Sequence, residues 1–310
     1  MAIANRVRDD LQRFFDGDVW FSFKTSKITV VAAFIFALLT VLAVLAPWIT
    51  PQNPYDPAQL DILDSFIPPV WTADGDARFV LGTDDQGRDM YSVLLYGARL
   101  SIGVGLASVL LSMVIGVALG LLSGFKGGAT DALIMRIVDV QLSFPSILIA
   151  LLLNGIMVSV FKDAKNSDVA IYVTIFSIAM SIWPQVARTV RGSTFVEKNK
   201  EYVQAARVIG LSASAIMWRH VLPNVIGPVL VISTINLAIA VIIEATLSFL
   251  GVGVPLTEPS LGTLIRNGND FMSSGEWWIA NFPGAVLAAL ALSVNLFGDW
   301  LRDALNPKLR

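Results

Sequence analysis

Few residues in this sequence have a type and setting suited to chemistry. Glu244 stands alone in the apolar stretch "AVIIEATLSFLG". A carboxylate held away from water is costly, and by default it is a candidate for gating or proton handling. The other reading is a hydrogen-bonded Glu that ties helices together. That reading is favoured because no second acid or basic relay residue shares the apolar setting. Asp139 follows Arg136 by three positions, so the two can pair on one helix face. His220 is the only histidine and there is no cysteine, which leaves no metal site and no thiol nucleophile. The sequence contains no G-x-x-x-x-G-K-[ST] loop, no H-E-x-x-H and no G-x-S-x-G. The expectation is a non-catalytic chain that binds no cofactor of its own. No basic stripe interleaved with aromatics points to nucleic acid.

The elements that must position these residues are apolar. The chain has 310 residues, 55% hydrophobic and 15% charged, with a mean hydropathy of +0.67. A soluble domain carries about 25% charged residues. Six uncharged runs occur at residues 28–46, 101–124, 140–160, 169–187, 221–243 and 277–298, the fifth extending past Glu244 to about 250. Each approaches the roughly 20 residues that cross a bilayer as helix. The fold class expected is an all-α polytopic membrane protein with six transmembrane helices. The expected divisions are a tail at 1–27, a first span at 28–47 and an outer loop at 48–100. A core at 101–300 and a short tail at 301–310 complete them. The first run reads as a retained anchor rather than a cleaved signal. The tail sequence "VRDDLQRFFDGDVWFSFK" reads equally as a surface-lying segment or an unstructured one.

Lys and Arg divide unevenly between the two sets of loops. The set with both termini, 125–136 and 188–219 holds 16, and the other set holds 6. The basic set is expected to face the cytoplasm. Within the second run, Ser108, Ser112, Gly116, Gly120 and Gly124 recur every four positions. Such a column lets another helix approach closely, either in this chain or in a partner subunit. Pro145 in "LSFPSIL" is expected to kink the third span.

The most structured polar passage is "EYVQAARVIGLSASAIMWRHVLPN", residues 201–224. Residues 203–209 favour helix, Gly210 suits a left-handed helix end, Ser212 can cap a second helix over 213–221, and Pro223 can open the next span. A helix–turn–helix knuckle on the cytoplasmic face can transmit force from a soluble motor. A floppy loop cannot.

These residues resemble the permease subunits of ABC importers, whose mark is E-A-A, three residues, G, nine residues, I-x-L-P. The pattern falls on Gln204, Ala205, Ala206, Gly210, His220, Leu222 and Pro223, with Gln204 and His220 departing from the general form. The passage is similar to the dipeptide, oligopeptide and nickel branch. So are "LGTDDQGRDMYSVLLYGARLSIGVG", "EATLSFLGVGVP" and "GDWLRDALNPKLR". The resemblance implies a type I importer fold and a second permease subunit, usually in a heterodimer. It further implies two ATPases that use ATP and Mg2+, and an extracytoplasmic binding protein. It makes 191–222 the coupling loop, with Tyr202, Gln204, Ala205, Ala206, Arg207, Gly210, Leu211, His220, Leu222 and Pro223 at the ATPase. Short peptides are the substrate implied, with nickel chelates or opines as other cargoes of such systems. An ion-driven secondary transporter is the alternative; it would want relay residues at the midplane, where only Glu244 qualifies.

Overall fold

A computed structural model describes residues 18–160, 167–255 and 257–304. Among the described residues the regular structure is helical, with one isolated antiparallel bridge, Thr83 to Asp89. The elements are α1 (Asp18–Thr25), α2 (Lys27–Ile49), α3 (Met90–Lys126), α4 (Gly128–Leu142), α5 (Ser146–Val160) and α6 (Ser167–Glu197). Then come α7 (Glu201–Val208), α8 (Ala213–Ile216), a π turn (Met217–Val221), α9 (Leu222–Phe249), α10 (Leu261–Phe271) and α11 (Trp278–Ala304). Among the described residues five helices have the length and apolarity to cross a membrane, and a sixth span results if α4 and α5 count as one bent pair.

Two helices outrun the uncharged runs, where a cap or an ion pair to a neighbouring helix holds the added turns. The α3 helix begins at Met90 rather than near 101, because Asp89 caps it by accepting the Ser92 N–H at 2.9 Å. At 37 residues it is about 55 Å long, well beyond a bilayer core of about 30 Å. The α6 helix runs on through Arg188 and Arg191 to Glu197. The third span is not one kinked helix. It breaks at residues 143–145 and turns by 96° between α4 and α5. Pro145 has no N–H to continue α4's ladder, and Ser143 closes it by bonding back to Asp139 and Val140. Gln141 holds the corner against α6 by donating to the Met180 carbonyl and accepting from Trp183 Nε1 at 3.1 Å.

The small-residue column is used inside this chain, where α3 lies along α6. A Cβ on Gly116 would lie 2.6 Å from Val186 Cβ, on Gly120 2.6 Å from the Ala187 carbonyl, and on Gly124 2.8 Å from the Arg191 carbonyl. Only a hydrogen fits at these three positions, so the helices meet backbone to backbone. Of the tail, residues 1–17 lie outside the described residues. The rest is helix α1, whose Phe23 ring packs edge-on against Trp300 of α11 at 5.1 Å.

The loop between α2 and α3 is compact. Asp84 and Arg88 form an ion pair at 2.7 Å with both side chains buried. Burial pushes the Asp84 carboxyl up, and the Arg88 guanidinium opposes that shift. Trp278 donates to the Thr83 carbonyl at 2.9 Å, and Asn267 donates to Asp85. The stretch 81–89 thus ties this loop to α10 and α11.

Candidate coupling site

The knuckle is built by two helix-end rules in succession. Helix α7 closes with a Schellman motif: Leu211 N–H bonds the Ala206 carbonyl at 3.1 Å and Gly210 N–H bonds Arg207 at 3.0 Å. Gly210 takes φ +84, the left-handed conformation expected of it. Ser212 then caps α8 by accepting the Ala215 N–H at 3.3 Å. The helix widens to a π turn over Met217–Val221, where Leu222 N–H reaches back to Met217. Pro223 accounts for the widening, since its ring would crowd the Arg219 carbonyl in a regular α turn and it has no N–H to offer that carbonyl. A π turn before Pro223 was not legible in the sequence.

The inner face of the knuckle is apolar and closed. Val203, Ala206, Ile216, Val221 and Val225 are buried against Leu121 of α3 and Val186 and Val190 of α6. The knuckle is therefore seated on two membrane helices, and a push on it reaches both. Charged groups brace the seat. Arg191 of α6 forms a bidentate pair with Asp131 of α4 at 2.9 and 2.6 Å. Lys198 donates to the Gly124 carbonyl at 2.6 Å. Glu197 accepts from Tyr202 Oη at 2.5 Å and pairs with Lys200 at 2.8 Å. Burial, with the Glu197 carboxylate second, pushes the Tyr202 phenol up to about 12. Asn224 Nδ2 closes the ring by donating to the His220 carbonyl at 2.7 Å.

Tyr202 and His220 belong to this brace, and His220 enters it through its carbonyl rather than its imidazole. Gln204 is exposed and bonds the Asn199 carbonyl at 3.1 Å. Ala205 is exposed and Ala206 buried. Arg207 lies over the Phe125 ring at 5.5 Å. Leu222 is half-buried and Pro223 exposed, at the head of α9. The outer face is open and carries large apolar side chains among exposed polar ones such as Glu201, Gln204 and Arg219. Val208 is 88% exposed, Ile209 75%, Trp218 55% and Leu211 39%. Asp131 and Lys198 were missed in the sequence because their partners lie 60 and 74 positions away. Glu197 with Lys200 and Tyr202, and Asn224 with the His220 carbonyl, are short-range pairs that the sequence spacing allowed.

Arg136 and Asp139 do not pair. Asp139 bonds Arg188 of α6 instead, because its side chain points across to the neighbouring helix at the broken span. Glu244 is fully buried, and Ser248 Oγ donates to its Oε1 at 2.8 Å. Ser101 on α3 and Ser260, the cap of α10, lie near the same carboxyl, whose Oε2 has no hydrogen-bond partner among the described residues. Those serines also accept backbone N–H groups, Ser101 from Leu261 and Ser248 from Val254. Glu244 thus sits where α3, α9 and the start of α10 meet.

Helices packed in this order around an exposed apolar knuckle define a polytopic permease of the type I importer class. The chain superposes on the MetNI methionine ABC transporter in an inward-facing conformation with a TM-score of 0.55 at 20% identity, covering 70% of this chain and 98% of that one. The family model "Binding-protein-dependent transport system inner membrane component" matches residues 116–310, and the chain belongs to that family. A second model, the N-terminal transmembrane domain of oligopeptide transport permease C, matches residues 15–69. Among its relatives, the di/tripeptide transport system permease protein DppC of Pseudomonas aeruginosa is 36% identical over 94% of this chain and 92% of its own length. The dipeptide permease DppC of Haemophilus influenzae is 36% identical over 94% and 95%. The oligopeptide permease OppC of Bacillus subtilis is 36% identical over 94% and 90%.

Proposed function

We propose that this chain forms one half of the translocation path of an ATP-driven importer of short peptides, and that residues 201–223 receive the ATPase. The carrying observation is the knuckle: one face is locked onto α3 and α6, and the other presents Val208, Ile209 and Trp218 to solvent. Exposed apolar residues at the polar end of a membrane protein favour a protein partner. In this reading the chain itself is not catalytic. A second permease subunit completes the path, two ATPases hydrolyse ATP with Mg2+, and a binding protein delivers the cargo. The peptide assignment is supported by the relatives, whose names specify di-, tri- and oligopeptides. Both termini and the knuckle are assigned to the cytoplasm.

The test is to purify the chain with its partner permease and its ATPases, reconstitute the complex, and measure uptake of labelled Ala-Ala with and without the loaded binding protein. Uptake that requires both ATP and the binding protein is expected. Failure of the ATPases to copurify would overturn the coupling assignment. ATP-dependent uptake of other solutes but no peptide would overturn the substrate assignment.

A further inference from the structure

At the end of the molecule opposite the knuckle, a cavity of about 330 Å3 opens between residues 96–104 of α3 and 171–175 of α6. Arg99 of α3 and Glu258, just before α10, both line it. They carry opposite charges, yet no ion pair joins them among the described residues. Glu258 lies near enough to the Tyr55 phenol to act on it, and the field of Arg99 reaches that phenol too. Burial is the main influence on both acids and pushes each up. Tyr55 is held in turn by Tyr96, whose ring meets it edge-on at 5.3 Å. The remaining wall is apolar, with Val104, Ile171 and Ile175. Gly103 opens it: a Cβ there would meet nothing within 4 Å.

One cation and one anion that line a small cavity without pairing with each other suit a ligand bearing both charges. Arg offers a planar fork to a carboxylate. Glu258, kept partly out of water, gains most from an incoming ammonium. The volume lies at the low end of the range of about 300–1,000 Å3 for small-ligand sites, which suits two or three residues rather than a long chain. We propose that this cavity is a transit site for a short zwitterionic peptide, with Arg99 taking the terminal carboxylate, Glu258 the terminal ammonium, and the apolar wall the side chains. The proposal rests on the peptide reading above, and in that reading's orientation the cavity faces the side from which cargo is delivered.

The chain has no cysteine, so Gly103→Cys places a single thiol of this subunit in the cavity. The complete complex in nanodiscs, without binding protein, is treated with a water-soluble maleimide while Ala-Ala is titrated. Ala-Ala should slow modification about tenfold at saturation, and the doubly blocked N-acetyl-Ala-Ala amide should not. Adding Arg99→Gln or Glu258→Gln should raise the half-protecting concentration roughly tenfold or more. Arg99→Lys, which keeps the charge, should raise it less, so a loss from poor folding is told apart from a loss of recognition. A thiol that never reacts, one that Ala-Ala does not protect, or equal protection by the blocked peptide would each overturn the site. Uptake of Ala-Ala by the wild-type complex separates the two readings. Import without protection removes only this site; absence of any peptide import removes the peptide reading, and this site with it.

Discussion

At Gly210 and Glu244 the chemistry of a single side chain decides a helix end or a three-helix junction. A side chain at 210 finds open space, since nothing lies within 4 Å of a Cβ there. The cost of replacing it is therefore backbone alone, about 1 kcal/mol or more for a residue with a β-carbon and higher for a branched one. Gly210→Val can escape by letting α7 continue, which would swing α8 off its seat. The expected outcome is normal insertion and pairing but a loss of ATPase pull-down and of substrate-stimulated ATP hydrolysis. Wild-type stimulation with normal pull-down would show that this turn is not the coupling element. Glu244 makes its contacts through hydroxyls, so Glu244→Gln can keep them, and uptake should stay within about twofold of wild type. Glu244→Ala leaves Ser248 without its partner in a buried site, at a cost of about 2 kcal/mol or more, and should lower the yield of assembled complex. Background uptake by the Gln variant at normal complex levels would give this carboxyl a gating or substrate role. The left-handed glycine was legible because it interrupts helix formers four residues after the Ala-Ala pair. The partner of Asp139 was not, because Arg188 lies 49 positions away and meets it only across two packed helices.

Elements follow a different logic from residues. Uncharged runs mark the apolar layer, and that is what the sequence shows. They do not mark where a helix ends, because caps and interhelical ion pairs carry α3 and α6 past the layer at ends that reach water. The bend in the third span needs Pro145, which is visible, together with the grip of Gln141 on α6, which is not. The loop over 81–89 shows the same split: its motif is legible, but its work as a strap between α3, α10 and α11 depends on tertiary contacts. The Asp84–Arg88 pair is the core of that strap, with Arg88 4% exposed and Asp84 0%. Breaking a buried pair leaves an uncompensated charge and costs about 3 kcal/mol. Arg88→Leu should lower the apparent melting temperature of the detergent-solubilised complex. The double variant Asp84→Asn with Arg88→Leu, which buries no charge, should recover much of the loss. Equal destabilisation by the single and the double variant would show that packing of the Arg88 stem, not charge balance, holds the loop.

For the whole molecule, contacts sort the chain into two ends, and this sorting is independent of where the charges lie. At one end, Phe23 meets Trp300, Lys198 bonds the end of α3, and the knuckle closes the gap between α6 and α9. That end gathers the start of α2, the close of α11 and the knuckle. At the other, Trp278 donates to the Thr83 carbonyl and Asn267 donates to Asp85. An even number of crossings follows, with the bent α4–α5 pair as one of them. The 16-to-6 split of Lys and Arg in the sequence supports the orientation proposed above, in which the knuckle end stays in the cytoplasm because positively charged loops near spans resist translocation. Ser214 in the knuckle and Ala73 in the loop before α3 are both exposed, and neither is a packing residue. Cysteines placed singly there should report opposite sides. On intact spheroplasts an impermeant maleimide should modify Ala73→Cys and leave Ser214→Cys untouched until the membrane is opened. The reverse pattern would invert the molecule, put the knuckle out of reach of any ATPase, and move the Arg99–Glu258 cavity from the entrance of the path to its exit.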